Sequence, residues 1–215
     1  LLDELRTHGL VAGALVVRGQ GVEEGGLPYQ LWREPLRRLV ISTELSHLEA
    51  SGLKLLVPDI ALLLEYEVAE APTLKAAENS KRLVRVVIDV LRRQTQPVVL
   101  LLEDLQWAEE SLQLLREIVP FLTDCPLFIL GNYRTDERPQ LPQEVPGAQI
   151  LPLKRLTTSE ITQLSTAILG EVGRQPHLLA LLERETEGNT FFMVEVVRAL
   201  AEEVGRLADI GRNAL

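Results

Sequence analysis

An α/β fold on a parallel sheet, followed by an all-helical segment, is what this 215-residue sequence predicts. Two runs and a change of texture carry that reading. Val98 to Leu102 are apolar without a break and end in two adjacent carboxylates, Glu103 and Asp104. A strand covered by helices on both faces reads as such a run. Leu127 to Gly131 repeats the pattern behind Pro126 as a second buried strand, with Asn132-Tyr-Arg-Thr-Asp-Glu137 at its carboxyl end. From about Leu156 onward only helical periodicity is left, so the expected domains are an α/β core over 1–155 and a helical segment over 156–215.

The elements follow in order. Leu1 to His8 reads as the tail of a helix, with Gly9 as its C-cap. Ala14 to Val17 is a short apolar strand, and the glycine-rich stretch Gly19 to Pro28 is a loop. Tyr29 to about Ser46 is helical, with Leu31, Leu36, Leu39 and Val40 on one side and Arg33, Arg37 and Arg38 on the other. Leu53 to Val68 is a second apolar helical stretch, interrupted at Pro58. Leu74 to Arg93 is a longer helix whose Leu83, Val87, Val90 and Leu91 keep the spacing of a buried face. Pro97 opens the acidic-ended strand, and Ser111 to Leu122 is the helix after it. Ala148 to Leu153 reads as a last strand. Thr157 to Glu160 fits a capping box, with Ile161, Leu164, Ile168 and Leu169 as the stripe behind it. Pro176 to Thr186 and Phe191 to Leu207 complete the helical part, the last with Met193, Val196, Val197, Leu200 and Val204 on one face.

Composition narrows the function. A net charge of −9 argues against a general binder of phosphate backbones, which needs a basic face. Aromatic residues at 4% are too few for a base-stacking platform. A basic recognition helix is not found, which removes a DNA-binding regulator. The single cysteine, Cys125, allows no disulfide framework and points to a reducing compartment, the cytoplasm. No apolar run reaches membrane-spanning length, and the first residues lack the pattern of a signal peptide. His8, His47 and His177 share no ligand spacing, so a zinc site is not expected.

The acids carry the chemistry. In open α/β sheets, ligands lie beyond the carboxyl ends of the strands. Two carboxylates placed there are costly unless something cationic uses them. Mg²⁺ carrying nucleotide phosphates suits them, because it takes one or two carboxylates and keeps its waters. The other half of such a site is absent from the sequence. Nowhere does G-x-x-x-x-G-K-[ST], the loop whose amides and lysine hold phosphates, occur.

Four stretches in order resemble the nucleotide-binding domain of the STAND class, signal-transduction ATPases related to AAA+ proteins, in the type found in bacterial multidomain regulators. They are Gly19-Gln-Gly…Leu27-Pro-Tyr-Gln-Leu-Trp32, Leu100-Leu-Leu-Glu-Asp-Leu-Gln-Trp-Ala108 with Ser111, Leu130-Gly-Asn-Tyr-Arg-Thr-Asp-Glu137, and Glu187-Gly-Asn-Thr-Phe-Phe-Met193…Glu195. The resemblance implies a P-loop NTPase core without its first strand, followed by a helical lid. It places the phosphate loop just ahead of the helix ending at His8, so the chain is expected to begin after that loop. It implies ATP or ADP with Mg²⁺ as cofactors and a switch that moves on hydrolysis. Glu103 would order the metal's water shell, Asp104 would polarise the attacking water, and Arg134 would read the γ-phosphate. Asn189 and Thr190 would lie near the nucleotide. The family usually has proline at the position of Thr190, which leaves that contact open.

Each residue has a plainer reading. Glu103 and Asp104 could be solvated loop acids. Arg134 could be a surface partner of Asp136 or Glu137. Trp107 reads as a packing residue, and Arg33, Arg37 and Arg38 as a solvated helix face. Gly188-Asn189 reads as a turn between helices. The absent loop predicts weak ATP binding and an inactive domain. The free strand flank left by the missing strand predicts self-association or filling of the gap by another chain, and the resemblance implies other domains of the same polypeptide as partners. A nucleotide-independent interaction or oligomerisation module is the rival function.

Overall fold

In the computed structural model the acidic-ended apolar run is the middle strand of a three-stranded parallel sheet, ordered β1-β2-β3. The strands are β1 (Leu15–Gln20), β2 (Val98–Glu103) and β3 (Leu127–Gly131). The structure describes every residue except Gly25, Thr73, Leu74, Pro146, Ala214 and Leu215, and not the side chains of Ala76, Ala77 and 203–213. The expected helix start at Leu74 and the inward face of Val204 lie outside the described residues. Two compact units result, 1–149 and 150–215.

The helices of the first unit are α1 (Leu2–Val11), α2 (Gln30–Ile41), α3 (His47–Leu53), α4 (Ile60–Leu64), α5 (Ala76–Arg92), α6 (Glu109–Ile118) and the short α7 (Leu141–Glu144). Alternation along the strands gives the sheet two faces. Val17, Val98, Leu100 and Leu102 point to the face packed against Leu31, Trp32, Leu36, Val87, Val90, Leu112 and Ile118 of α2, α5 and α6. The indole of Trp32, fully buried, donates to the carbonyl of Ser111 at 2.9 Å and so ties α2 to the start of α6. That bond gives the buried N–H its acceptor. The opposite face carries α1, none of whose residues is buried.

Several elements differ from the pattern reading. The first helix does not stop at Gly9 but runs to Val11, and the chain turns through Gly13 at φ +79°. The apolar stretch expected as helix from Leu53 is turn up to Pro58 and holds one short helix beyond it, α4, while α3 ends at Leu53. Residues 148–153 form no strand: the backbone is irregular, and Ile150, Leu151 and Leu153 are exposed. An apolar run becomes a strand only where a neighbour completes its hydrogen-bond ladder, and none of the described strands does so. β3 is consequently an edge strand rather than a buried one, with Phe128 half exposed.

The second unit consists of α8 (Thr158–Leu169), α9 (Pro176–Thr186) and α10 (Thr190–Asn213) around Ile161, Leu178, Leu182, Met193 and Val197. Its capping box forms as the sequence predicts. The Glu160 amide donates to the Thr157 hydroxyl at 3.4 Å, and the Thr157 amide donates to Glu160 at 2.7 Å. Gly188, at φ +73°, passes so near Leu156 that a Cβ would lie 2.4 Å from its carbonyl oxygen, so only glycine fits this turn.

Candidate functional site

Both acids stand at the carboxyl end of β2, and the register sets their neighbours. Gln20 is the partner of Glu103 across the β1–β2 ladder, and Arg18 is two residues earlier on the same face. Each reaches one acid. The Arg18 guanidinium forks onto Glu103, with Nη2 donating to Oε2 at 2.8 Å and Nε in contact with Oε1. Gln20 Nε2 donates to Asp104 Oδ2 at 2.9 Å. Glu103 is only 8% exposed, whereas the Arg18 side chain is 51% exposed. The hydrogen bond to Glu103 pushes the pKa of Arg18 above its ordinary value, against the opposing pull of burial. The Glu103 carboxylate is therefore shut in, with one cation at its open side.

Asp104 is held in a left-handed backbone conformation, φ 54° and ψ 47°. A residue with a Cβ pays a steric cost there, and such strain persists only where the surroundings over-determine it. Four hydrogen bonds do so. The Asp104 amide donates to the Asn132 side chain at 2.8 Å, the Leu105 amide to the Asn132 carbonyl at 3.0 Å, and the Asn132 amide to the Leu102 carbonyl at 2.9 Å. From the other flank, the Gly21 amide donates to the Glu103 carbonyl at 2.8 Å. Gly21 comes so close that a Cβ would lie 2.3 Å from the Asp104 carbonyl oxygen. Both neighbouring strand ends thus hold the acid turn, and its carboxylate projects from a fixed backbone.

Gln106 links this turn to the segment after β3. Its Oε1 accepts from the Arg134 amide at 3.2 Å, and its Nε2 lies 3.5 Å from Asp104 Oδ1. The Arg134 guanidinium goes elsewhere: Nη1 pairs with Glu137 at 2.9 Å, and its carbon lies 5.5 Å from the centre of the Trp107 ring. Backbone bonding thus brings Arg134 to the acid turn while its charge faces a surface acid and an aromatic face. Asn189 and Thr190 belong to the second unit. The Asn189 side chain accepts from the Phe191 amide at 3.0 Å, capping α10, whose first residue is Thr190.

The residues that pattern reading did not single out are Arg18, Gln20, Gln106 and the side chain of Asn132. Only the strand register and the turn reveal them. The one sequence signal available was the β1 alternation, which puts Arg18 and Gln20 on one face at the carboxyl end.

Two carboxylates suit the protein's share of a Mg²⁺ site that keeps most of its waters. They do not form an all-protein cage: among the described residues no group of three or more His, Cys, Asp or Glu is placed to hold a metal. The buried Oε1 of Glu103 accepts no hydrogen bond, only the ion contact with Arg18. A nearly buried carboxylate whose oxygens already face a guanidinium is placed where a cation can be held. No helix among the described residues is long and apolar enough to cross a membrane.

Neither a curated protein nor a solved structure matches the chain. A family model does, over residues 1–130, a span that holds β1, β2, both acids and nearly all of β3, and stops short of Asn132, Arg134 and the second unit. Members of that family generally bind ATP or ADP with Mg²⁺. With a parallel α/β sheet, a strand that ends in paired acids, and a match covering more than half of its length, this chain belongs to the AAA ATPase domain family.

Proposed function

We propose that this chain is the metal side of an ATP-dependent switch domain of the STAND type, part of a multidomain signalling or transcription regulator. The observation that carries the reading is the strained turn at Asp104. Two neighbouring strands hold a carboxylate in a costly conformation beside a nearly buried second one. Strained backbone of this kind clusters at active sites and ligand clamps. Mg²⁺ bound with a nucleotide would supply charge neutralisation there. Glu103 would take the metal's side, and Asp104, at the end of the rigid turn, would orient a water. Asn132 would set the position of Asp104 through its backbone amide. Arg134 would sense the γ-phosphate only by leaving Glu137 and Trp107. Residues 156–215 would act as a helical lid, with Asn189 and Thr190 at its nucleotide-facing turn.

Phosphate grip is the weak part. Backbone amides and a lysine in the glycine-rich loop normally hold the β- and γ-phosphates, and no such motif occurs in these 215 residues. This chain is therefore expected to bind Mg·ATP more weakly than micromolar and to turn it over slowly or not at all. Calorimetry with Mg·ATP, on the wild type and on Glu103→Gln and Asp104→Asn, tests the reading. Weak binding that Glu103→Gln weakens further and Asp104→Asn spares supports it. Binding indifferent to both substitutions sinks it.

The rival reading, a nucleotide-independent interaction module, draws on a different observation. β3 is an uncharged edge strand without proline, and its Phe128 is half exposed. Such edges template pairing with another strand. Concentration-dependent sedimentation with no response to Mg·ATP would favour this module.

A further inference from the structure

The carboxylate assigned above to the metal already has a cation. Arg18 covers both oxygens of Glu103 from the neighbouring strand, and Glu103 is otherwise closed to solvent. A guanidinium fork and a hydrated divalent ion cannot share one carboxylate. Their like charges would lie within a few ångströms of each other at the edge of a low-dielectric interior. The fork also fills the directions from which a metal or its waters would approach. The arginine is the mobile partner of the two. Half of its side chain is in water, while Glu103 is held at the end of the central strand. A second acceptor also lies beside it: Asp3, in the first turn of α1, is 3.8 Å from Nη1 and itself highly exposed. The charges that act on the guanidinium are Glu103, Asp3 and Asp104, all acidic.

We propose that Arg18 is a resident counter-cation that competes with a divalent ion for Glu103, and that cation binding requires the guanidinium to move off, toward Asp3 and solvent. The proposal rests on the reading of Glu103 as the metal's carboxylate. It gives β1 a role of its own, that of setting how readily the acid becomes available. A buried acid in a protein without its ligand needs a charge partner, because an unpaired carboxylate in such a place is costly. Arg18 meets that need, and because half of its side chain is in water it can leave without burying its own charge.

The test uses the whole 215-residue chain with Mn²⁺ alone as the probe, followed by electron paramagnetic resonance. The wild type is compared with Arg18→Gln, Arg18→Lys and Glu103→Gln. Arg18→Gln keeps a donor and loses the charge, so it should bind Mn²⁺ on the order of threefold to tenfold more tightly than the wild type. Arg18→Lys keeps a charge and loses the fork, so it should fall between the two. Glu103→Gln should lose the tighter class of Mn²⁺ altogether. If Arg18→Gln fails to fold, Arg18→Lys carries the test and must still exceed the wild type. Mn²⁺ binding that depends on Glu103 but is equal or weaker in the folded Arg18 variants overturns the competition and leaves the metal reading standing. Mn²⁺ binding that ignores Glu103 overturns both.

Discussion

The two faces of the β1-β2-β3 sheet are built from the same strands and do different work. On one, Val17, Val98, Leu100 and Leu102 are sealed under α2, α5 and α6. On the other, Leu101 and Glu103 are buried, but Val16, Val99 and Leu130 are only partly covered, Phe128 is half exposed, and Arg18 and Gln20 reach the solvent. The helix lying on that face, α1, buries none of its residues. The charges differ in the same way. Beside α6, Glu144 of α7 is held by Arg138 at 2.7 Å and by Arg116 of α6 at 2.9 Å, a network that joins structural elements to one another. Beside α1, Glu103 is held by a single half-exposed arginine. One face is therefore dedicated to stability, and the other keeps its polar groups within reach of a ligand. In a parallel sheet successive residues point to opposite faces, so one strand serves both purposes.

Leu100→Ala is the largest expected effect and the most direct way to break this contrast. It should cost about 2–5 kcal/mol in urea unfolding, because the side chain is fully buried among rigid neighbours. A loss no greater than that from Phe128→Ala would end the comparison. Trp32→Phe comes next, at about 1–2 kcal/mol, since it loses both volume and the bond to Ser111. A neutral outcome would mean that the indole bond does not secure α2 to α6.

Glu144→Gln sharpens the comparison through pH. The hydrogen bond from Arg138 is the main reason that the Glu144 carboxyl titrates below its ordinary value. A lowered folded pKa makes its contribution present above the unfolded value and lost as pH falls through the folded one. The wild type should therefore lose stability more steeply than Glu144→Gln below about pH 4.5. Parallel acid limbs in unfolding curves would contradict this. The smallest effects belong to the open side. Phe128→Ala and Arg134→Ala should each cost under about 1 kcal/mol, because one side chain is half in water and the other makes an exposed ion pair. A larger loss for Arg134→Ala would show that its contact with Trp107 braces the acid turn.

Local pattern alone sufficed for the parallel strands at 98–102, to which the structure adds Glu103, and 127–131, for the Thr157 capping box and for the α9 bounds at Pro176 and Thr186. These features depend on short-range chemistry: apolar runs, a proline start and a hydroxyl three residues from a glutamate. The paired acids at the end of a strand were equally legible, because two adjacent charges behind five apolar residues stand out. What lies in three dimensions was not. Residues 148–153 have the composition of a strand, and only the presence of a ladder partner decides whether they become one. The left-handed turn at Asp104, its support by Asn132 and Gly21, and the hold of Arg18 on Glu103 join segments 28 to 85 residues apart. Sequence periodicity records which face a residue takes on its own element. Register between strands, set by the packing of the whole sheet, decides which residues of other elements meet it there.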